Sequence, residues 1–280
     1  MVRIVVDSTC DIPKPERDAL GLTMVPLKII FEDGLFRDGV DLTNSEFYER
    51  LGKASRLPTT SQVNPAEFED VFREIIDDTE DDIVCICMSS NLSGTYNSAV
   101  SAADIVAKDR IHCVDSNSAS FGSYLIIKEA VRMRDSGMSA REIAAKSQDI
   151  SKRLNIIAMV DTLKYLRMGG RLSGVSAIIG ELLGIHPIVK ISKGIIEVVG
   201  KARGQKASLQ KLLDFFLEER VDFSHGVTFG HSNAPEKLSK FMDLMSGHIR
   251  TEDVLIGNLG SVIGAHIGPG GVGLAYVSHA

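Results

Sequence analysis

The first 160 residues alternate short β-branched runs with helical patterns, and that alternation constrains the fold more than any other feature. Strands are expected at "RIVVD" (3–7), "MVPLKIIF" (24–31), "DIVCICM" (82–88), "RIHCVD" (110–115) and "NIIAMV" (155–160). Helices are expected between them, near 44–53, 65–78, 94–107, 118–136 and 139–151. Apolar runs bounded by helices pack as a parallel sheet covered on both faces. One helix start is explicit in "NPAEFEDVFREII": Asn64 caps, Pro65 occupies the first turn, and Phe68, Val71, Phe72 and Ile75 share a side. After Val160 the pattern changes to "GGRLSG" (169–174), then short strands ("HPIVKIS", "IIEVVG", "GVTFGH", "VLIGNLG", "VGLAYVS") and about three helices. A chain of 280 residues accommodates two domains of ordinary size, and a boundary near 161–165 divides it into 1–162 and 163–280.

Several function classes fall away early. A net charge of −6 argues against general nucleic-acid binding. No run of 18 apolar residues is present to cross a bilayer, and "MVRIVVDST" reads as a strand start rather than a secretory leader. Cys85 and Cys87 share a strand face but lack a second Cys/His pair at ligand spacing, so with Cys10 and Cys113 they read as free thiols and point to a reducing cytoplasm. Neither a P-loop, nor a G-x-S-x-G elbow, nor H-E-x-x-H occurs. "GPGGVG" (268–273) has dinucleotide spacing but leads into a strand, the reverse of the context such a site requires.

What remains is hydroxyl-rich loops at the carboxyl ends of strands, where open α/β sheets bind ligands. "SSNLSGTY" (89–96) follows the strand ending at Met88. With a helix starting near Gly94, Ser93 is the expected N-cap, and the first N–H groups are free for an anion; an ordinary serine cap is the plainer reading. "DSTCD" (7–11) and "DSNSAS" (115–120) are placed to line the same edge, and Thr59-Thr60-Ser61 precedes the helix capped by Asn64. His266 stands in a glycine-rich loop. Between 161 and 211 nine Lys/Arg face three acids (Asp161, Glu181, Glu197), a basic stretch in an acidic chain, with Arg171 flanked by glycines. These residues describe a binder of an acidic small molecule rather than a catalyst.

Eight segments in order resemble the DegV family of bacterial fatty-acid-binding proteins: "VDSTCDIP", "VPLKI", "PTTSQ", "SSNLSGTYNSA", "VDSNSAS", "LKYLRMGGRLS", "GKARG" and "IGAHIGPGGVG". The resemblance implies an α/β protein of two domains, the first Rossmann-like, with a ligand tunnel between them. It implies a long-chain fatty acid (C16–C18 class) whose carboxylate is held by Thr60, Ser61, Ser93 and Gly94, with His266 beside it. Which of Thr60 and Ser61 makes the contact stays open. It further implies a carrier subunit, not itself an enzyme and without a cofactor, that presents the lipid to a separate ATP-binding fatty acid kinase subunit for acyl-phosphate formation. Arg171, Lys201 and Arg203 are then expected to face that partner or the phosphate. Val63, in "SQVNP", departs from the family's S-Q-P. The alternative is a small-molecule phosphotransferase with its own nucleotide site at the Ser/Gly-rich loops, against which the missing P-loop counts.

Overall fold

A computed structural model describes residues 1–172, 184–249 and 254–280. Ser173 and Gly174 of the glycine-rich break, and Glu181 of the basic stretch, lie outside the described residues.

Four strands form the parallel sheet: β1 (Val2–Asp7), β2 (Leu22–Val25), β6 (Asp82–Cys87) and β7 (Ile111–Asp115), in the order β2-β1-β6-β7. The expected single strand 24–31 is two strands. β2 ends at Val25 and β3 (Lys28–Phe31) starts a separate antiparallel sheet with β4 (Gly34–Arg37) and β5 (Thr59–Ser61), ordered β4-β3-β5. Pro26 lies at the break; lacking an N–H, it cannot extend a ladder.

The helices connecting these strands are α1 (Lys14–Ala19), α2 (Asn44–Lys53), α3 (Pro65–Asp78), α4 (Thr95–Val106), α5 (Phe121–Asp135) and α6 (Ala140–Arg153). α2, α3 and α6 each begin with a reciprocal capping box, from Thr43/Glu46, Asn64/Glu67 and Ser139/Glu142. In α3 the periodic apolar side turns Phe68 and Phe72 into a core with Val5, Val63, Ile83 and Cys85. Val63 is fully buried there, so the residue that departs from the family motif supplies core volume.

The second sheet has six strands: β8 (Leu154–Met159), β9 (Ile185–Ser192), β10 (Ile195–Arg203), β11 (Val227–His231), β12 (Val254–Asn258) and β13 (Val272–Val277), ordered β10-β9-β8-β13-β11-β12. Here the structure corrects the sequence reading. The strand expected at 155–160 is β8, and it pairs antiparallel with β13 and β9 rather than joining the parallel sheet. The change of sheet therefore precedes the 162/163 division drawn from the change of pattern after Val160. Its run Leu154–Ile157 is wholly buried, and such a run fits a central strand of either sheet. α7 (Lys164–Met168), α8 (Gln205–Glu218), α9 (Pro235–Met245) and α10 (Ser261–Ile267) complete the described elements. α8 and α9 cover one face, around Leu212, Phe216, Phe229 and Phe241. The other face meets α5 and the parallel sheet through Phe121, Ile156 and Ala275. The molecule is thus a two-domain α/β protein with the parallel and six-stranded sheets facing a shared seam.

Candidate functional site

At the carboxyl edge of the parallel sheet, carboxylates hold the loops in place. Asp7 Oδ2 accepts from the Met88 N–H at 2.6 Å and its Oδ1 from the Thr9 N–H at 2.9 Å. Asp115 accepts from the N–H groups of Ser90 and Asn117. The Ser89 N–H donates to Ser118 O at 2.8 Å and the Ser120 N–H to Thr9 O at 2.7 Å. The three loops expected to line one edge are therefore tied to one another. The aspartates of these loops, Asp7 and Asp115, anchor backbone N–H groups.

Past this edge lies a cavity of about 300 Å³, bounded by both domains. Thr60, Ser61, Ser93, Gly94, Arg171 and His266 all line it, contributed by β5, the loop before α4, the segment after α7, and α10. Residues some 200 positions apart in sequence thus meet: Thr60 Oγ1 and His266 Nε2 are hydrogen-bonded at 2.9 Å. Ser61 is half-buried and its hydroxyl turns to the Gln62 carbonyl at 3.4 Å.

The start of α4 differs from expectation. Gly94, not Ser93, is the N-cap, and the helix begins at Thr95. Ser93 Oγ accepts from the Thr95 N–H at 3.3 Å and lies 2.9 Å from Thr95 Oγ1. The Ser93 hydroxyl thus sits one position ahead of the cap, whose φ/ψ are −72° and 1°. A Cβ on Gly94 would fall 2.2 Å from Gln62 Oε1, so the glycine makes room for the glutamine that lines the cavity and donates to Ser98 Oγ at 3.1 Å.

Two basic side chains, His266 and Arg171, border this chamber, and they differ in charge state. Burial, then the nearby Arg171 guanidinium, push His266 down to about 4, so its imidazole is neutral at pH 7. Its Nδ1 is buried without a hydrogen-bond partner. Arg171 was expected to face a partner or a phosphate; it lines the same cavity as the hydroxyls. Its Nη1 donates to Gly169 O at 2.6 Å and its Nε to Leu92 O at 3.2 Å, which fold it back against the serine loop. Lys201 and Arg203 do not join this group: both are exposed on β10, paired in register with Pro187 and Ile185.

The rest of the wall is apolar, including Leu27, Met88, Leu166, Ile191, Ile196 and Ile263. A second chamber of about 50 Å³ adjoins it and shares Ala119, Ile191, Ile263 and Ile267. Polar hydroxyls, a neutral imidazole and one guanidinium at one end, with an almost wholly apolar extension, suit a molecule with an anionic head and a hydrocarbon tail.

The model of the family described as "Uncharacterised protein, DegV family" matches residues 1–279. The chain belongs to the DegV family. A DegV domain-containing protein of Caldanaerobacter subterraneus subsp. tengcongensis is 34% identical over 276 residues, 98% of each chain. A DegV-family structure from Thermus thermophilus, described by its fatty acid binding, superposes with a TM-score of 0.89 at 29% identity and covers 99% of each chain. A stearic-acid-binding protein of Eubacterium ventriosum gives a TM-score of 0.84 at 30% identity, covering 99% of this chain and 98% of that one.

In this DegV-family chain two site residues escaped sequence reasoning. Gln62 stood in the quoted Thr-Thr-Ser-Gln run, and only its neighbours were singled out. Gly169 gave no signal, since the His266 ring it accommodates is remote in sequence: a Cβ there would lie 2.1 Å from His266 Nδ1. Among the described residues no helix is long and apolar enough to cross a membrane, and no group of three metal-ligating side chains occurs. Cys10, Cys85 and Cys87 are buried free thiols and Cys113 is half-buried.

Proposed function

We propose that this protein binds one long-chain fatty acid, carboxylate in the hydroxyl chamber and chain along the apolar extension, and presents it to a separate kinase subunit. The observation that carries the reading is the convergence of Thr60, Ser93, His266 and Arg171 on one end of a cavity whose other end is apolar. Relatives with this fold are described as fatty-acid-binding, one with stearic acid. The energetics agree in scale. Burying about 15 methylenes at about 0.8 kcal/mol each gives a gross term of about 12 kcal/mol, before association costs. The head group exchanges water for hydroxyl donors and the Arg171 guanidinium, which a buried carboxylate requires.

With His266 neutral, the Thr60 hydroxyl donates to the carboxylate when the Nε2 proton of His266 points at Thr60 Oγ1. The role of kinase carrier, rather than kinase, rests on the absence of a P-loop and on Arg171 and the exposed Lys201 and Arg203 as contacts for a phosphate or a partner surface.

The test is Ser93→Ala, read by fatty acid titration and by acyl-phosphate formation with ATP and the cognate kinase subunit. Affinity is expected to fall about tenfold, the scale of one hydrogen bond to a charged group, and phosphorylation to fall further than occupancy does. Undiminished affinity would place the carboxylate elsewhere, and equal loss of both would count against presentation.

A further inference from the structure

The fatty acid reading leaves open what limits the chain. Beyond the four residues it shares with the head cavity, the second chamber lies against the six-stranded sheet, lined from β9, β8, β13 and β11. Its floor follows one transverse row of register partners: Val189 on β9, Ala158 on β8, Gly273 on β13 and Gly230 on β11. Three of these four have at most a methyl group, which sinks the floor below the neighbouring side chains. Nothing charged intrudes: His231 on the same wall is held below its usual range by burial, and its Nδ1 accepts from the Ala234 N–H at 3.1 Å. The occupant such a slot accepts is the methyl-terminal part of the chain.

The row does not stop at Gly230. Its register partner on β12 is Gly257, so the sunken floor continues for another strand. The chamber does not, because Phe121 lies in it. A Cβ on Gly230 would fall 1.9 Å from Phe121 Cδ1, and one on Gly257 would fall 2.9 Å from Phe121 Cβ. The side chain is therefore seated on two glycines, buried to 5% exposure, at the first position of α5. It fills space that the backbone leaves open.

We propose that Phe121 is the acyl-chain gauge of this protein: its side chain closes the far end of the slot and sets how many carbons fit. The proposal rests on the fatty acid reading above. Removing the phenyl ring uncovers the floor over Gly230 and Gly257, and each methylene that enters gains about fourfold in affinity.

The experiment measures affinities for a saturated series of about twelve to twenty carbons on the wild type, Phe121→Ala and Phe121→Leu. Thermal melting verifies that each variant folds. The leucine variant keeps an apolar core residue in case the alanine cavity is too costly. The preferred length is expected to rise by about two to four carbons in Phe121→Ala and less in Phe121→Leu, with one acid bound per protein throughout. An unchanged length profile at full occupancy in a folded variant would overturn the gauge while leaving fatty acid binding intact. Absence of binding by the wild type across the whole series would overturn the fatty acid reading and the gauge with it.

Discussion

At the scale of single residues, the site depends on positions where a side chain is missing as much as on those where one is present. Gly169 caps α7 with φ of −74°, a conformation any residue adopts, so its requirement is space for His266. Gly169→Ala places a methyl group against the imidazole and drives it off Thr60. Fatty acid affinity is expected to drop about tenfold or more, one charged hydrogen bond being worth about 1.5–3 kcal/mol, with little change in melting temperature. Unchanged affinity would show that the Thr60–His266 pair does not serve the head group. Thr60, Ser93, Gly94 and His266 were legible as candidates from the hydroxyl- and glycine-rich runs and the family resemblance, although Thr60 lies on β5 and His266 on α10 rather than in the expected loop. Gly169 and Phe121 were not, because a glycine's role is set by whichever distant side chain occupies its vacant volume, and a phenylalanine at a helix start reads as core.

At the scale of elements, α10 shows how a seven-residue helix carrying His266, Ile263 and Ile267 is held in place. Its first N–H, from Ser261, donates to Asp38 Oδ1 at 3.1 Å, and the Ser261 hydroxyl donates to the same oxygen. Asp11 lies beside it: a Cβ on Gly260 would fall 2.6 Å from Asp11 Oδ1 and 3.4 Å from Asp38 Oδ1. Burial first, then the adjacent Asp38 carboxylate, hold Asp11 well above the usual carboxylate range. The native state thus keeps a proton that the unfolded chain releases above pH about 4, and stability falls as pH rises through that interval. Asp11→Asn removes this dependence and suits the backbone, since asparagine tolerates the observed φ of 55°. The variant's melting temperature is expected to gain on the wild type from pH 5 to pH 8. A gap that stays constant with pH would show Asp11 to be ionised in the native protein.

Which elements the sequence revealed follows the same physics. Helices α2, α3 and α6, with capping boxes and amphipathic periods, were placed to within a residue or two. The small sheet of β3, β4 and β5 was missed: β3 merged with β2 across Pro26, and Thr59–Ser61 looked like loop because three hydroxyl residues carry no apolar alternation.

At the scale of the whole molecule, a parallel sheet and a change of pattern after it were legible, and the membership and antiparallel pairing of the second sheet were not. A buried apolar run such as β8 fits the interior of a parallel or an antiparallel sheet alike, and only its partners β13 and β9, distant or downstream in sequence, decide. The seam between the sheets is where the candidate site lies. The parallel sheet brings the serine loop, β5 brings Thr60, and the second domain brings His266, Arg171 and the long apolar floor. Neither half alone has both the head chamber and the slot, so the proposed binding requires the assembled chain.

The central claim, that this assembled cavity holds a fatty acid, is tested most directly by purifying the protein from its native host, denaturing it and weighing the released lipid by mass spectrometry. The account predicts one long-chain fatty acid per protein, with a narrow distribution of lengths. A folded protein that releases no lipid, and takes up none when fatty acid is supplied, would contradict it.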